Sequence, residues 1–81
     1  MFSKEAFGNR LLELRSNKNV SQQSLADCLG IGRTAVSMME SGKRVPSIEI
    51  AYSLAAYFGV SLGYLVGQSD DPWKRAQAVK H

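Results

Sequence analysis

Apolar residues along this chain recur three and four positions apart, the period of helices that bury one face. Phe7, Leu11 and Leu14 follow i, i+4, i+7 and predict a first helix from about Lys4 to Asn17, with Asn17-Lys18-Asn19 as a turn. Ser21 predicts the N-cap of a second helix, because a serine oxygen accepts an unpaired N–H of the first turn. The acid that completes a capping box three residues on is replaced by Ser24, so the box is incomplete. Leu25, Ala26 and Leu29 make an i, i+1, i+4 patch on this second helix, and Gly30 suits the left-handed position that closes it. Val36 and Met39 form an i, i+3 stripe on a third helix, predicted from near Gly32 to Gly42. Lys43 to Pro46 predicts a loop, and Ser47 caps a fourth helix carrying Ile48, Ala51, Leu54, Ala55 and Phe58 up to Gly59. Ser61 caps a short fifth helix with Leu62 and Leu65. After a loop at Gln68-Ser69-Asp70, Asp71 as N-cap and Pro72 at the first helical position predict a sixth helix to about Lys80. No alternating strand pattern interrupts this series, so the predicted fold class is all-α.

The stretch from Gln22 to Gly42 carries the most functional information. Two short helices at a steep angle, joined by a three- or four-residue turn containing glycine, make a helix-turn-helix. In that arrangement the second helix of the pair presents its polar face to the DNA major groove.

Size and composition agree with a single small domain: 81 residues, 44% hydrophobic, formal charge +3. That hydrophobic fraction argues against wholesale disorder, and the mild basicity fits an anionic partner without demanding one. No run approaches the roughly 20 apolar residues of a membrane span, and MFSKEAFGNR lacks a signal-peptide apolar region, so the expected localisation is cytoplasmic. Cys28 is the lone cysteine and cannot form an internal disulfide or a cysteine metal cluster. Its place among core-type positions predicts a buried, reduced thiol, with a redox switch as the alternative. The sole histidine, His81, is terminal. With no Cys/His pair, phosphate loop or metal-ligand spacing, the reading is a protein that is not an enzyme and needs neither cofactor nor metal.

From Phe7 to Gly67 the chain resembles the lambda-repressor-like helix-turn-helix domain, also called the Xre or Cro/repressor family. The motifs that carry the resemblance are FGNRLLELR, VSQQSLADCLGIGRTAVSMMESGKRVPS and LAAYFGVSLGYLVG. The Glu-x-Gly after the third helix and the Gly-Val-Ser-Leu entry to the fifth make it more specific than a bare helix-turn-helix pattern. The resemblance implies five helices around one core over residues 1–67, with residues 68–81 left for packing or dimerisation. It also implies sequence-specific binding of double-stranded operator DNA, usually as a homodimer, to repress or otherwise control transcription.

Residue roles follow from the same resemblance. Arg33, Thr34, Ser37 and Met38 match the positions that reach base edges. Arg33 can bond guanine O6 and N7 in bidentate fashion. Met38 stands where a polar residue is common; it either packs on a thymine methyl group or fills a gap beneath the third helix. Arg10, Gln22, Gln23, Lys43 and Arg44 are candidates for phosphate contacts, which position a protein on DNA without reading sequence. Arg15 and Glu40 are expected to form a structural ion pair between the first helix and the end of the third. Gly32 replaces the family's usual Ser or Thr cap and offers no hydroxyl. Tyr57, Phe58, Val60 and Tyr64, near the connection of helices four and five, form one candidate dimer surface, and Trp73 belongs to a second. Trp73 alternatively packs back on helix one or five. The competing function on the same fold is an antitoxin-type or protein-interaction module.

Overall fold

The computed structural model describes residues 3–67. It contains α1 (Lys4–Lys18), α2 (Gln22–Leu29), α3 (Arg33–Glu40), α4 (Ile48–Phe58) and α5 (Leu62–Leu65), with no strand among the described residues. The fold is all-α. The sixth helix expected from Asp71 and the placement of Trp73 lie outside the described residues.

Serine starts four of the five helices. The hydroxyls of Ser3, Ser21, Ser47 and Ser61 each accept the backbone N–H three residues on, from Ala6, Ser24, Ile50 and Tyr64. Such a cap is worth roughly 1 kcal/mol against alanine. At α2 the Ser21 hydroxyl also lies 3.1 Å from the Ser24 hydroxyl, which occupies the place of the missing acid. α3 begins on Gly32 in extended backbone, with no side-chain cap.

The α1 helix runs to Lys18, past the predicted end, because Asn19 takes a left-handed conformation (φ 59°) as its cap. The α2–α3 turn is made the same way. Gly30 sits at φ 72°, and the N–H of Ile31 bonds the Ala26 carbonyl at 3.0 Å. A side chain at Gly30 would be strained in that backbone, so this glycine sets the sharp angle between α2 and α3.

The core consists of Phe7, Leu11, Leu25, Ala26, Val36, Met39, Ala51, Leu54, Ala55 and Leu65. Every helix contributes to it. α1 and α2 both pack on α3, while α4 packs on α5. The stripes read from spacing point inward, with two exceptions. Ile48 is 65% exposed; it is the first residue of α4, and side chains lean toward a helix's N-terminus, so it projects past the core. Ile50 packs there instead. Cys28 is exposed, which corrects the buried thiol. At 100° per residue it lies roughly 100° around α2 from the centre of the Leu25, Ala26 and Leu29 patch.

A close helix approach fixes α1 against α3. Gly8 is buried in α1, and a Cβ built there would lie 2.6 Å from the carbonyl oxygens of both Met39 and Glu40. Only a glycine allows the two backbones this near each other.

Candidate nucleic-acid interface

The outer face of α3 is built from the residues its inner face leaves over. Val36 and Met39 turn into the core, and Arg33, Thr34 and Met38 are exposed, with Ser37 half-buried. Met38 is 37% exposed against 2% for Met39, so it stands on the outer face and does not fill a gap beneath the helix. Four of the residues expected at base edges therefore share one side of α3.

Beside them, α2 presents Gln22 at its first position. Gln22 Nε2 donates to Glu40 Oε1 at 2.9 Å, and Arg33 Nη1 lies 3.4 Å from Gln22 Oε1. Gln23 turns along its own helix, donating to Asp27 Oδ1 at 2.9 Å. Arg44 lines a cleft of about 230 Å³ together with Gly32, Ala35 and Ser47, which puts it beside the start of α3. Lys43 is exposed in the same loop; its N–H closes the end of α3 on the Met38 carbonyl at 2.9 Å.

Behind this face lies a directional polar contact. Arg15 from α1 grips Glu40 at the end of α3 with two parallel bonds, Nε to Oε2 and Nη2 to Oε1. Its third nitrogen, Nη1, donates to the Val20 carbonyl at 2.9 Å. The two side chains are 16% and 6% exposed. The Glu40 hydrogen bond raises the Arg15 pKa above its ordinary value, with Coulombic attraction adding to it and burial opposing it. The favourable effect of a raised pKa is complete below the unfolded-state pKa and fades only as pH climbs through the folded one. For an arginine that window lies far above neutrality.

Arg10 does not join the α2–α3 face. Its Nη1 donates to the Tyr64 carbonyl at 2.9 Å, and its guanidinium stacks over the Tyr64 ring 3.8 Å from the centroid. A weaker pairing joins it to Glu13 at 3.9 Å. These contacts tie α1 to α5.

The candidate dimer residues sit where α4 meets α5. Tyr57, Phe58, Val60 and Tyr64 are half-buried, and the Tyr57 and Phe58 rings meet edge to face with centroids 5.0 Å apart. Tyr57 also carries Lys18 Nζ 5.3 Å from its ring centroid, and Tyr64 is covered by Arg10. Spacing arguments missed a more exposed apolar surface nearby. Val45 and Ile48 border a groove of about 360 Å³ whose other walls include Ala51, Leu62 and Val66, and Tyr52 is 60% exposed. The i, i+4 spacing of Ile48 and Tyr52 was the signal available for it. Among the described residues no group of His, Cys, Asp and Glu side chains could hold a metal, and no helix is long and apolar enough to cross a membrane.

Comparison with known proteins agrees with this fold. Residues 11–65 match the helix-turn-helix family. The transcriptional regulator AnsR of Bacillus subtilis is 39% identical over 72 residues, covering 89% of this chain and 62% of AnsR. The transcriptional activator BcrR of Enterococcus faecalis is 38% identical over 60 residues, covering 74% of this chain and 29% of BcrR. The chain thus spans less than two thirds of either relative. Among solved structures, the restriction-modification controller protein C.AhdI from Aeromonas hydrophila is 35% identical and superposes with a TM-score of 0.70, covering 76% of this chain and 94% of C.AhdI.

Proposed function

The chain belongs to the lambda-repressor-like helix-turn-helix family of transcriptional regulators, and we propose from that premise that it binds operator DNA as a homodimer and represses transcription. One observation carries the reading: Arg33, Thr34, Ser37 and Met38 lie together on the solvent face of α3, flanked by Gln22 and by the Lys43–Arg44 loop. In this arrangement α3 enters the major groove, and Arg33, at the N-terminal end where base contacts concentrate, reads a guanine edge. Thr34 and Ser37 bond bases or phosphates, and Met38 packs on a thymine methyl group. Gln22, Lys43 and Arg44 touch phosphates on either side. Arg15 and Glu40 touch no DNA; they lock α3 in orientation.

The homodimer reading is supported by the apolar surface around α4 and α5. A second copy covering Ile48, Val45 and the groove beside Leu62 would bury side chains now exposed to water, and helix-turn-helix dimers bind half-sites about one DNA turn, roughly 34 Å, apart. Repression requires only that the operator be occupied.

Fluorescence anisotropy tests the proposal directly, with duplex from upstream of the chain's own gene against a scrambled duplex, across a salt series. Preference for the upstream duplex, with log affinity falling linearly in log salt, is the expected result. Failure to bind either duplex at low salt would overturn it.

A further inference from the structure

We propose that the groove between α4 and α5 receives a tryptophan from a second copy of the chain: Trp73, in the segment that follows α5, enters the partner's groove while the partner's Trp73 enters this one. The inference deepens the homodimer reading and rests on it. The groove, of about 360 Å³, is walled by Val45, Pro46, Ile48, Ala51, Leu62 and Val66. Its polar lining side chain, Ser47, already accepts the Ile50 N–H at 3.1 Å. Such walls favour an apolar occupant. A two-fold contact over this face sets groove against groove, and two concave surfaces leave a void between them. A void forfeits the close contacts that make burial favourable, so each groove needs a projecting side chain to fill it.

Trp73 is the chain's single tryptophan, and tryptophan is among the residues that most often anchor an interface by filling a pocket. Its ring system buries roughly 150–250 Å². Ala76 and Val79, three and six positions on, extend the apolar side of the helix that the sequence predicts there, and an apolar helix side laid into a groove is a common mode of recognition. The segment starts at the groove's edge, since Val66 is one of its walls and Gly67 follows. Gly67, at φ 84°, lies against α1: a Cβ there would stand 3.1 Å from the Ala6 side chain. The chain thus turns out of its own groove toward α1. In a two-fold contact the partner's Val66 borders the same face, and the partner's segment begins beside this groove. The six residues from Ser69's neighbour Gln68 to Trp73 reach up to about 20 Å when extended. Charge agrees as well: Lys74 and Arg75 follow Trp73, and Glu49 is exposed next to Ile48 at the groove's border.

The test uses the full chain, in which intrinsic fluorescence reports Trp73 alone. On dilution its emission should move to the red, and acrylamide quenching should rise, in step with the dissociation followed by sedimentation velocity. Trp73→Ala should weaken self-association roughly tenfold or more, as loss of a buried tryptophan anchor does, with the helical circular dichroism unchanged. Ile48→Asp damages the groove and should weaken self-association too. A mixture of the two variants brings one intact tryptophan to one intact groove, so the mixed pair should associate more tightly than either variant alone. Emission that stays buried on dilution, an undiminished dimer or a lost helical signal in Trp73→Ala, or a mixture no tighter than its components would each overturn the exchange and leave the homodimer standing. If the wild-type chain stays monomeric at every concentration, the homodimer reading fails, and the exchange falls with it.

Discussion

The junction of α1 with α3 and the junction of α4 with α5 are held by opposite means. At the first, Gly8 brings backbones into contact, and Arg15 with Glu40 makes a two-pronged ion pair. Both interactions depend on direction and distance, so they specify one orientation of α3. At the second, contact is made by Leu54, Ala51, Leu62 and Leu65, while Ile48, Val45 and Tyr52 stay exposed. Dispersion and burial are nearly indifferent to angle, so this side gains its cohesion mainly from area. The difference fits the proposed function, in which bases are read at one end, where a small tilt matters, and a second copy docks at the other, where area matters more.

The largest effect expected from breaking this contrast comes from Glu40→Ala. It strands a guanidinium that is 16% exposed, and removing one partner of a buried pair costs roughly 3–5 kcal/mol. A thermal melt should fall by well over ten degrees, since about 1 kcal/mol moves a domain of this size by 4–8 °C. A melt equal to wild type would mean that the pair is not buried in solution.

Gly8→Ala comes next and turns on sign. Helix propensity alone predicts a gain of about 1 kcal/mol. The new methyl group would meet two carbonyl oxygens at 2.6 Å, and overpacking of that kind costs roughly 1–3 kcal/mol. Urea denaturation should therefore show a loss; a gain would mean that α1 sits farther from α3.

At the other junction, Ile48→Asp should leave stability within about 0.5 kcal/mol of wild type, because the site is exposed and an acid suits the start of a helix. Sedimentation velocity should nonetheless show weaker self-association. An unchanged dimer population would move the interface elsewhere. The smallest change is Gly32→Ser. A Cβ there meets nothing within 4 Å, and supplying the missing cap should raise stability by a few tenths of a kcal/mol.

What the sequence made legible was local. The period of Phe7, Leu11 and Leu14, and the serine and glycine punctuation at Ser21, Gly30, Ser47, Gly59 and Ser61, are properties of neighbouring residues, and they place the helices, with α1 running on to Lys18. Arg33, Thr34, Ser37 and Met38 could be placed on one face from spacing alone. The contacts of Gly8 with Met39 and of Gln22 with Glu40 join positions 31 and 18 residues apart, and no periodicity encodes them. A glycine within a helical run hints at close packing but not against what. The charge of Arg10 does not encode its position against Tyr64, which is decided by how α1 crosses α5. Cys28 and Ile48 were placed by their apolar neighbours, when angle around the helix and distance from its end govern exposure.

The Gly8 contact has a further consequence for how α3 opens. Helix ends usually fray first and exchange their amide hydrogens fastest. Here the last turn of α3 is pressed between Gly8 and the Arg15 grip, two points seven residues apart on α1 and about 10 Å along its axis. The first turn, starting at Gly32, has no side-chain cap. Fraying within α3 therefore runs from its N-terminus, and deuterium should enter behind Arg33 well before it reaches Met39.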